Sequence, residues 1–178
     1  HDTINNIEQG DLIIRDLGYI AIDILRKIDN VKAFFLNRIK PATGIYERKN
    51  DTYIPISLKS ITRHLKKTGK VYLEKELYIG RRKYLPCRVI FMLVPDDKRI
   101  ERKKRQLKKS ARRGSKPDLR VIDNIDLNIF ITNVPADVIP AIEIYNVYKL
   151  RWQIELVFKT WKQVCKINHI KSVKPDRV

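Results

Sequence analysis

The first run of three apolar residues in the chain is Leu12 to Ile14, which follows a Gly10-Asp11 turn. Three consecutive apolar residues are typical of a strand buried on both faces, and Asp16 closes it. Apolar residues recur at helical spacing from Gly18 to Ile28, and Val31 to Ile39 is rich in β-branched and aromatic residues. The pattern predicts strand, helix, strand, and therefore an α/β fold with helices packed on a sheet.

The pattern changes after Pro41. Two strong strand signals, Val71 to Ile79 and Tyr84 to Val94, flank a polar turn and predict a β-hairpin with one face of its first strand in solvent. Leu127 to Thr132 predicts a further strand, and a long helix is expected from Asp137, a candidate N-cap, to Cys165. We therefore divide the chain into a core in two parts, residues 1–40 and 125–178, and a mostly β insertion, residues 41–124.

Charge narrows the class of partner. Among 178 residues, Lys and Arg number 38 and Asp and Glu number 20, a formal net charge of +18. A polyanion such as nucleic acid offsets this charge most naturally. The longest apolar run, Val89 to Val94, is far shorter than the roughly 20 residues of a membrane span, so a membrane partner is not expected.

The most basic stretch is Glu101 to Arg113, which carries eight basic residues in thirteen. We predict a basic helix or loop that contacts phosphate groups; the alternative is a solvated or disordered run. Its candidate DNA-binding residues are Arg102, Lys103, Lys104, Arg105, Lys108, Lys109, Arg112 and Arg113.

The cysteines and histidines indicate no further site. Cys87 and Cys165 lie far apart, which favours two buried thiols in a reducing compartment over a zinc site or a disulfide framework. The three histidines form no His-Glu-x-x-His motif, and the six glycines form neither a phosphate-binding loop nor a dinucleotide fingerprint. A nucleotide cofactor is therefore not expected.

The long helix places four polar residues on one narrow stripe. At about 100° per residue, Tyr148, Arg151, Glu155 and Lys162 fall within about a sixth of a turn. A separate apolar sector is expected to face the core, and it comprises Val147, Leu150, Ile154, Val157, Phe158, Trp161, Val164 and Cys165. Spacing alone is also compatible with an ordinary i, i+4 surface pair between Arg151 and Glu155.

This stripe resembles the Tyr-Arg-Glu-Lys signature of bacterial insertion-sequence transposases with an Asp-Asp-Glu active site. Four residue types at fixed offsets arise by chance in such a chain only about once in a thousand at average usage. The residues around Asp16 resemble the region of the family's second catalytic Asp, and Thr132-Asn133-Val134-Pro135 resembles the stretch before its signature helix. The resemblance implies a ribonuclease-H-like mixed sheet with packed helices, interrupted by a mostly β insertion.

The resemblance also implies roles for individual residues. Asp16 and Glu155 would be catalytic and would bind Mg²⁺ or Mn²⁺, because hard cations prefer carboxylate oxygens. Tyr148, Arg151 and Lys162 would contact DNA phosphates. As alternatives, Asp16 only caps the following helix, and Trp152 packs in the core rather than stacking on an extruded base.

The implied function is that of a transposase that cleaves and joins DNA by metal-dependent phosphoryl transfer. Its partners would be double-stranded DNA, as terminal inverted repeats and target, and a second copy in a synaptic homodimer, in the bacterial cytoplasm at the nucleoid. The residues leave two alternatives open: a basic nucleic-acid-binding module without catalysis, and a ribonuclease-H-like nuclease that does not join DNA.

The family's first catalytic Asp has no counterpart here. Asp2 and Asp11 are too close to Asp16 in sequence to leave room for the intervening strands. We therefore expect the chain to be the C-terminal part of a catalytic domain, inactive alone, with Leu12 to Ile14 at an exposed sheet edge.

Overall fold

In a computed structural model of the chain, the described residues are 6–16, 21–112, 114 and 126–164, without the side chains of Phe158 and Lys162. The strands of the described part are β1 (Leu12–Arg15), β2 (Phe34–Ile39), β3 (Ile45–Lys49), β4 (Thr52–Pro55), β5 (Tyr72–Ile79), β6 (Leu85–Leu93) and β7 (Leu127–Thr132). The helices are α1 (Ile22–Asn30), α2 (Leu58–Thr68), α3 (Asp96–Arg112) and α4 (Ile144–Val164), and a short 3-10 helix, Ala141–Glu143, precedes α4.

The described strands form one mixed sheet in the order β1-β2-β7-β6-β5-β3-β4. β1 runs parallel to β2, with Arg15 beside Asn37, and the other neighbours are antiparallel. A parallel pair needs a crossover connection, which α1 supplies. The predicted mixed α/β architecture is confirmed, and β1 lies at one edge of the described sheet.

Each face of the sheet carries its own apolar core, because successive strand residues point to opposite sides. One face packs against α1 and α2 and contains the largest cluster, including Leu25, Phe35 and Leu65. The other face packs against the start of α4 through Leu36, Phe130 and their neighbours. The candidate chemistry lies on this second face.

The predicted hairpin is confirmed as β5 and β6, which pair from Tyr72 with Met92 to Ile79 with Leu85. We predicted that residues 41–124 are mostly β but did not predict β3, β4 or α2 as individual elements. Ser57 caps α2 by accepting from the Ser60 amide at 3.4 Å, and Gly69 ends it in the left-handed region. β3 to β6 join the same sheet as β2 and β7, and the division at residues 40 and 124 stays a prediction.

The long helix begins seven residues later than expected, so Asp137 is not its N-cap. The amides of Val138 and Ile139 turn back to the Pro135 carbonyl, and Pro140 is extended, with ψ 149°. Proline also disfavours a helical conformation in the residue before it. The helix therefore starts only after this turn, at Ile144.

Two further predictions concern single segments. The basic stretch is helical, since α3 covers Asp96–Arg112, while Arg113 lies outside the described residues. Cys87 is buried as predicted, and burial raises the pKa of its thiol well above the ordinary range; Cys165 lies outside the described part of the chain.

None of the described helices combines the length and apolar character needed to cross a membrane.

Candidate active site

The site lies where the end of β1 meets the first turns of α4. Asp16 directly follows β1, and its side chain is 48% exposed. Ile14, two residues earlier, packs toward the cluster under α4. Since alternate strand residues share a face, Asp16 and Ile14 both lie on the α4 side of the sheet.

Tyr148 anchors the helix side of the site. It is only 3% exposed, and its ring packs edge-on against Phe130 with centroids 5.2 Å apart. Its hydroxyl donates to Oδ1 of Asp16 at 3.2 Å. Burial raises the pKa of Tyr148 despite the opposing charge of Arg151, so the hydroxyl stays a neutral donor at physiological pH.

Arg151 connects the two predicted catalytic carboxylates. Its Nη2 lies 3.7 Å from Oδ1 of Asp16, and its Nη1 donates to Oε1 of Glu155. The side chain is 14% exposed, and the guanidinium lies 5.6 Å from the Tyr148 ring centroid. Burial lowers the pKa of Arg151, but the interactions with Tyr148, Glu155 and Asp16 raise it by more, so the net shift is upward.

The donor set suits a hard divalent cation. Asp16 and Glu155 bring two carboxylates to one guanidinium, and both are about half exposed, at 48% and 52%, so water can complete a coordination shell. Within the described ranges, no group of three or more His, Cys, Asp or Glu side chains is placed to hold a metal ion. The described residues therefore supply two carboxylates.

The tertiary structure reverses the expected orientation of α4. The polar stripe faces the sheet through Tyr148 and Arg151, next to the buried Ile144. The prediction that the apolar sector faces the core is wrong for its described side chains that follow Val147. Its exposed members are Leu150, Ile154, Val157, Trp161 and Val164.

Trp152 and Lys162 complete the predicted stripe region. Trp152 is 56% exposed, so core packing is wrong for this residue, and the Arg151 guanidinium lies 5.4 Å from its ring centroid. The backbone of Lys162 continues α4 beyond Glu155, while its side chain lies outside the described part.

The basic residues of α3 fall into two environments. Arg102 is partly buried and donates to Oδ1 of Asn128 at 3.0 Å, which ties α3 to β7. Arg105 pairs with Glu101 at 3.0 Å. The exposed basic side chains of this helix are Lys98, Lys103, Lys104, Arg105, Lys108, Lys109 and Arg112.

The segment before the long helix has a structural role that its sequence alone did not disclose. The Thr132 hydroxyl donates to the Phe35 carbonyl at 2.6 Å, and Oδ1 of Asn133 accepts from the Phe35 amide at 2.8 Å. Asn133 also donates to the Ala33 carbonyl at 3.0 Å. These bonds tie the end of β7 to the start of β2.

Sequence reasoning missed two arginines near the site, Arg38 in β2 and Arg88 in β6. Arg88 is buried and donates from Nη1 to the carbonyls of Val134 at 3.1 Å and Ile139 at 2.7 Å. The available signal was a charged residue inside an apolar strand pattern, since such residues are seldom buried without a partner.

A mixed sheet with one acid at a strand end and a second on a helix packed across it defines a ribonuclease-H-like α/β protein. All of residues 1–178 match the family model described as the transposase DDE domain, so the chain belongs to the transposase DDE domain family.

The chain is similar to several named transposases. It is 33% identical over 99% of its length to the transposase for insertion sequence element IS231C of Bacillus thuringiensis subsp. berliner. It is 30% identical over 94% of its length to the transposase for insertion sequence element IS1151 of Clostridium perfringens. The chain covers 40% and 38% of these relatives' own lengths. No solved structure matches it.

Proposed function

We propose that this chain is a catalytic part of an insertion-sequence transposase of the Tyr-Arg-Glu-Lys subgroup, which cleaves and joins DNA by metal-dependent phosphoryl transfer. The observation that carries the proposal is the bridge of Arg151 between Asp16 and Glu155, which are remote in sequence. Membership of the transposase DDE domain family and the net charge of +18 support it.

In this proposal Asp16 and Glu155 hold Mg²⁺ or Mn²⁺ through their carboxylate oxygens. The bound ions would supply an activated water and charge stabilisation on the attacking and leaving oxygens. Before the carboxylate takes other partners, Tyr148 orients Asp16 through its hydrogen bond. The acids thus reach a common point from a strand end and a helix.

The chemistry consists of two successive displacements at phosphorus. A water oxygen bonds to phosphorus while the bond to the 3′ oxygen breaks, which leaves a 3′-hydroxyl and a 5′-phosphate. The freed 3′-hydroxyl then attacks a target phosphodiester, loses its proton and displaces another 3′ oxygen. No covalent protein intermediate is required.

Arg151, Tyr148 and Lys162 would position the DNA. Arg151 presents a planar fork that matches a phosphate bidentately, and Lys162 acts as a point charge. Tyr148 would offer its hydroxyl to a phosphate when Asp16 turns to other partners. Trp152 presents a half-exposed ring on which a base can stack.

The proposed partners are double-stranded DNA, as terminal inverted repeats and target, and a second copy of the protein that pairs two ends. The exposed basic residues of α3 would contribute sequence-independent phosphate contacts.

Glu155→Gln in the full-length protein tests the proposal. Gln keeps the shape of Glu155 and can still meet Arg151 but removes the negative charge, so cutting of end-sequence DNA with Mg²⁺ should be abolished while DNA binding persists. Glu143→Gln, an exposed acid just before α4, is the matched control and should cut like wild type.

Each other outcome selects an alternative. Equal cutting by wild type and Glu155→Gln would remove Glu155 from the mechanism. Hydrolysed ends that are never joined would identify a nuclease that does not transfer strands. Salt-dependent DNA binding by a wild type that never cuts would identify a non-catalytic nucleic-acid-binding module.

A further inference from the structure

A second group of polar residues lies beside the candidate active site, on the same face of the sheet. Arg38 of β2 pairs across the ladder with Phe130 of β7, and such cross-strand partners share a face. The Phe130 ring contacts the rings of Tyr145 and Tyr148, which come from α4. Arg38 therefore points to the α4 side of the sheet.

Arg38 adjoins Asp16 through the register of the parallel strands. Arg15 pairs with Asn37; Asp16 directly follows β1, and Arg38 is the next residue of β2. Nε of Arg38 is buried and has no hydrogen-bond partner among the described residues.

Arg102 reaches the same region from α3. Its Nη2 donates to Oδ1 of Asn128, which lies two residues from Phe130 and so shares its face. Asn128 is diagonal to Arg38 across the β2–β7 pair, a separation of about 7–8 Å that long side chains span. Burial lowers the pKa of Arg102, and the positive charge of Arg38 lowers it further.

Two guanidinium groups are thus held near each other by separate elements, although like charges repel. An anion between them removes this penalty, and guanidinium matches phosphate oxygens bidentately. The position next to Asp16 indicates that the anion belongs to a strand that also passes the carboxylates.

We propose that Arg38 and Arg102 together bind one phosphodiester of a DNA strand that runs from the Asp16–Glu155 site toward α3. This inference rests on the proposed function and adds the path of the strand. It also gives Arg102 a different task from the exposed basic residues of α3, because Arg102 would act jointly with a residue of the core sheet.

Fluorescence anisotropy with a labelled duplex tests this pairing through Arg38→Met, Arg102→Met and the double variant. Each single variant should weaken binding about tenfold and reduce the slope of log affinity against log salt by about one. Since both residues would serve one phosphate, the double variant should fall well short of the roughly hundredfold loss expected for independent contacts.

Two controls separate this contact from general charge and from misfolding. Arg63→Met removes an exposed charge from α2, on the opposite face, and should leave both affinity and slope close to wild type. Arg38→Lys keeps the positive charge and should bind the duplex more tightly than Arg38→Met. Urea unfolding of both variants checks the fold, and their midpoints should match that of the wild type.

The outcomes distinguish the inference from the proposed function. Wild-type affinity in Arg38→Met, full additivity in the double variant, or equal loss in Arg63→Met would overturn the inference while Glu155-dependent cutting could persist. Competition by millimolar inorganic phosphate, with duplex binding unchanged in the variants, would assign a free-anion site and also overturn it. A wild type that binds no duplex would overturn both proposals.

Discussion

Arg151 links the two carboxylates of the candidate site. Its guanidinium meets Asp16 on one side and Glu155 on the other, and it stacks near the rings of Tyr148 and Trp152. Coulomb attraction at a mostly buried side chain is stronger than at the surface, because less water screens it. The i, i+4 pair read from the sequence is therefore only half of the arrangement, and β1 supplies the other half.

Tyr148→Phe should lower the free energy of unfolding by about 0.5 to 1.5 kcal/mol, because it removes one hydrogen bond to Asp16 and keeps the ring packed on Phe130. The pKa of Tyr148 is raised in the folded protein. The stabilisation by the hydroxyl is therefore complete below the unfolded-state pKa of about 10 and is lost as the pH rises through the folded-state pKa. Urea unfolding at pH 7 and above pH 10 measures both effects.

Tyr145→Phe is the matched control for this measurement. It removes a hydroxyl from the same helix, where the residue is exposed, and should change stability by less than about 0.5 kcal/mol. Equal losses in the two variants would show that the Tyr148 hydroxyl has no special partner.

The start of α4 is held in place by a strand that is distant in sequence. Arg88 of β6 donates to the carbonyls of Val134 and Ile139 and forms an ion pair with Glu74 of β5. Its side chain is buried, so these acceptors replace the hydration of Nε and Nη1, while Nη2 has no partner among the described residues. The hairpin thereby sets where the turn before α4 runs, and with it the position of Tyr148 and Arg151.

Arg88→Met should destabilise the protein by about 1–3 kcal/mol, since it leaves two carbonyls and the partly buried Glu74 without their donor. Adding Glu74→Leu should recover part of this loss by removing the unpaired acid. Urea unfolding measures both, with the exposed Arg48→Met as a control that should not move the midpoint. A wild-type midpoint in Arg88→Met would show that the bonds of Arg88 to Glu74, Val134 and Ile139 do not stabilise the protein.

The molecule as a whole carries a charge that its fold only partly neutralises. Within the described chain the observed ion pairs are mostly exposed, and most carry little stabilising energy. With a net charge of +18, long-range repulsion opposes the compact state. A polyanionic partner would relieve it, which accords with the proposed function.

Raising NaCl from 0.01 M to 0.1 M should raise the midpoint of thermal unfolding, because the screening length falls from about 30 Å to about 10 Å and weakens this self-repulsion. Circular dichroism melts at constant pH measure the shift. An uncharged osmolarity match with sucrose controls for solvent effects of the solute. An unchanged or lower midpoint in salt would mean that favourable ion pairs outweigh the repulsion.

Local patterns predicted much of this architecture. β1, β7 and the β5–β6 hairpin follow from apolar runs and turn residues, which act over a few positions. β3, β4 and α2 were missed individually because short, polar strands give weak periodic signals. The start of α4 was misplaced because Pro140 fits the first turn of a helix as well as an extended turn.

The amino-acid order by itself determined the charge, the helical spacing of Tyr148, Arg151 and Glu155, and the placement of Asp16 after an apolar run, because these are properties of composition and backbone period. Tertiary structure alone decided that this stripe, rather than the apolar sector, meets the sheet. It also decided that Arg38 and Arg102 become neighbours. A helical period gives relative angles along one element, whereas the face that is buried depends on strand order and on contacts between distant segments.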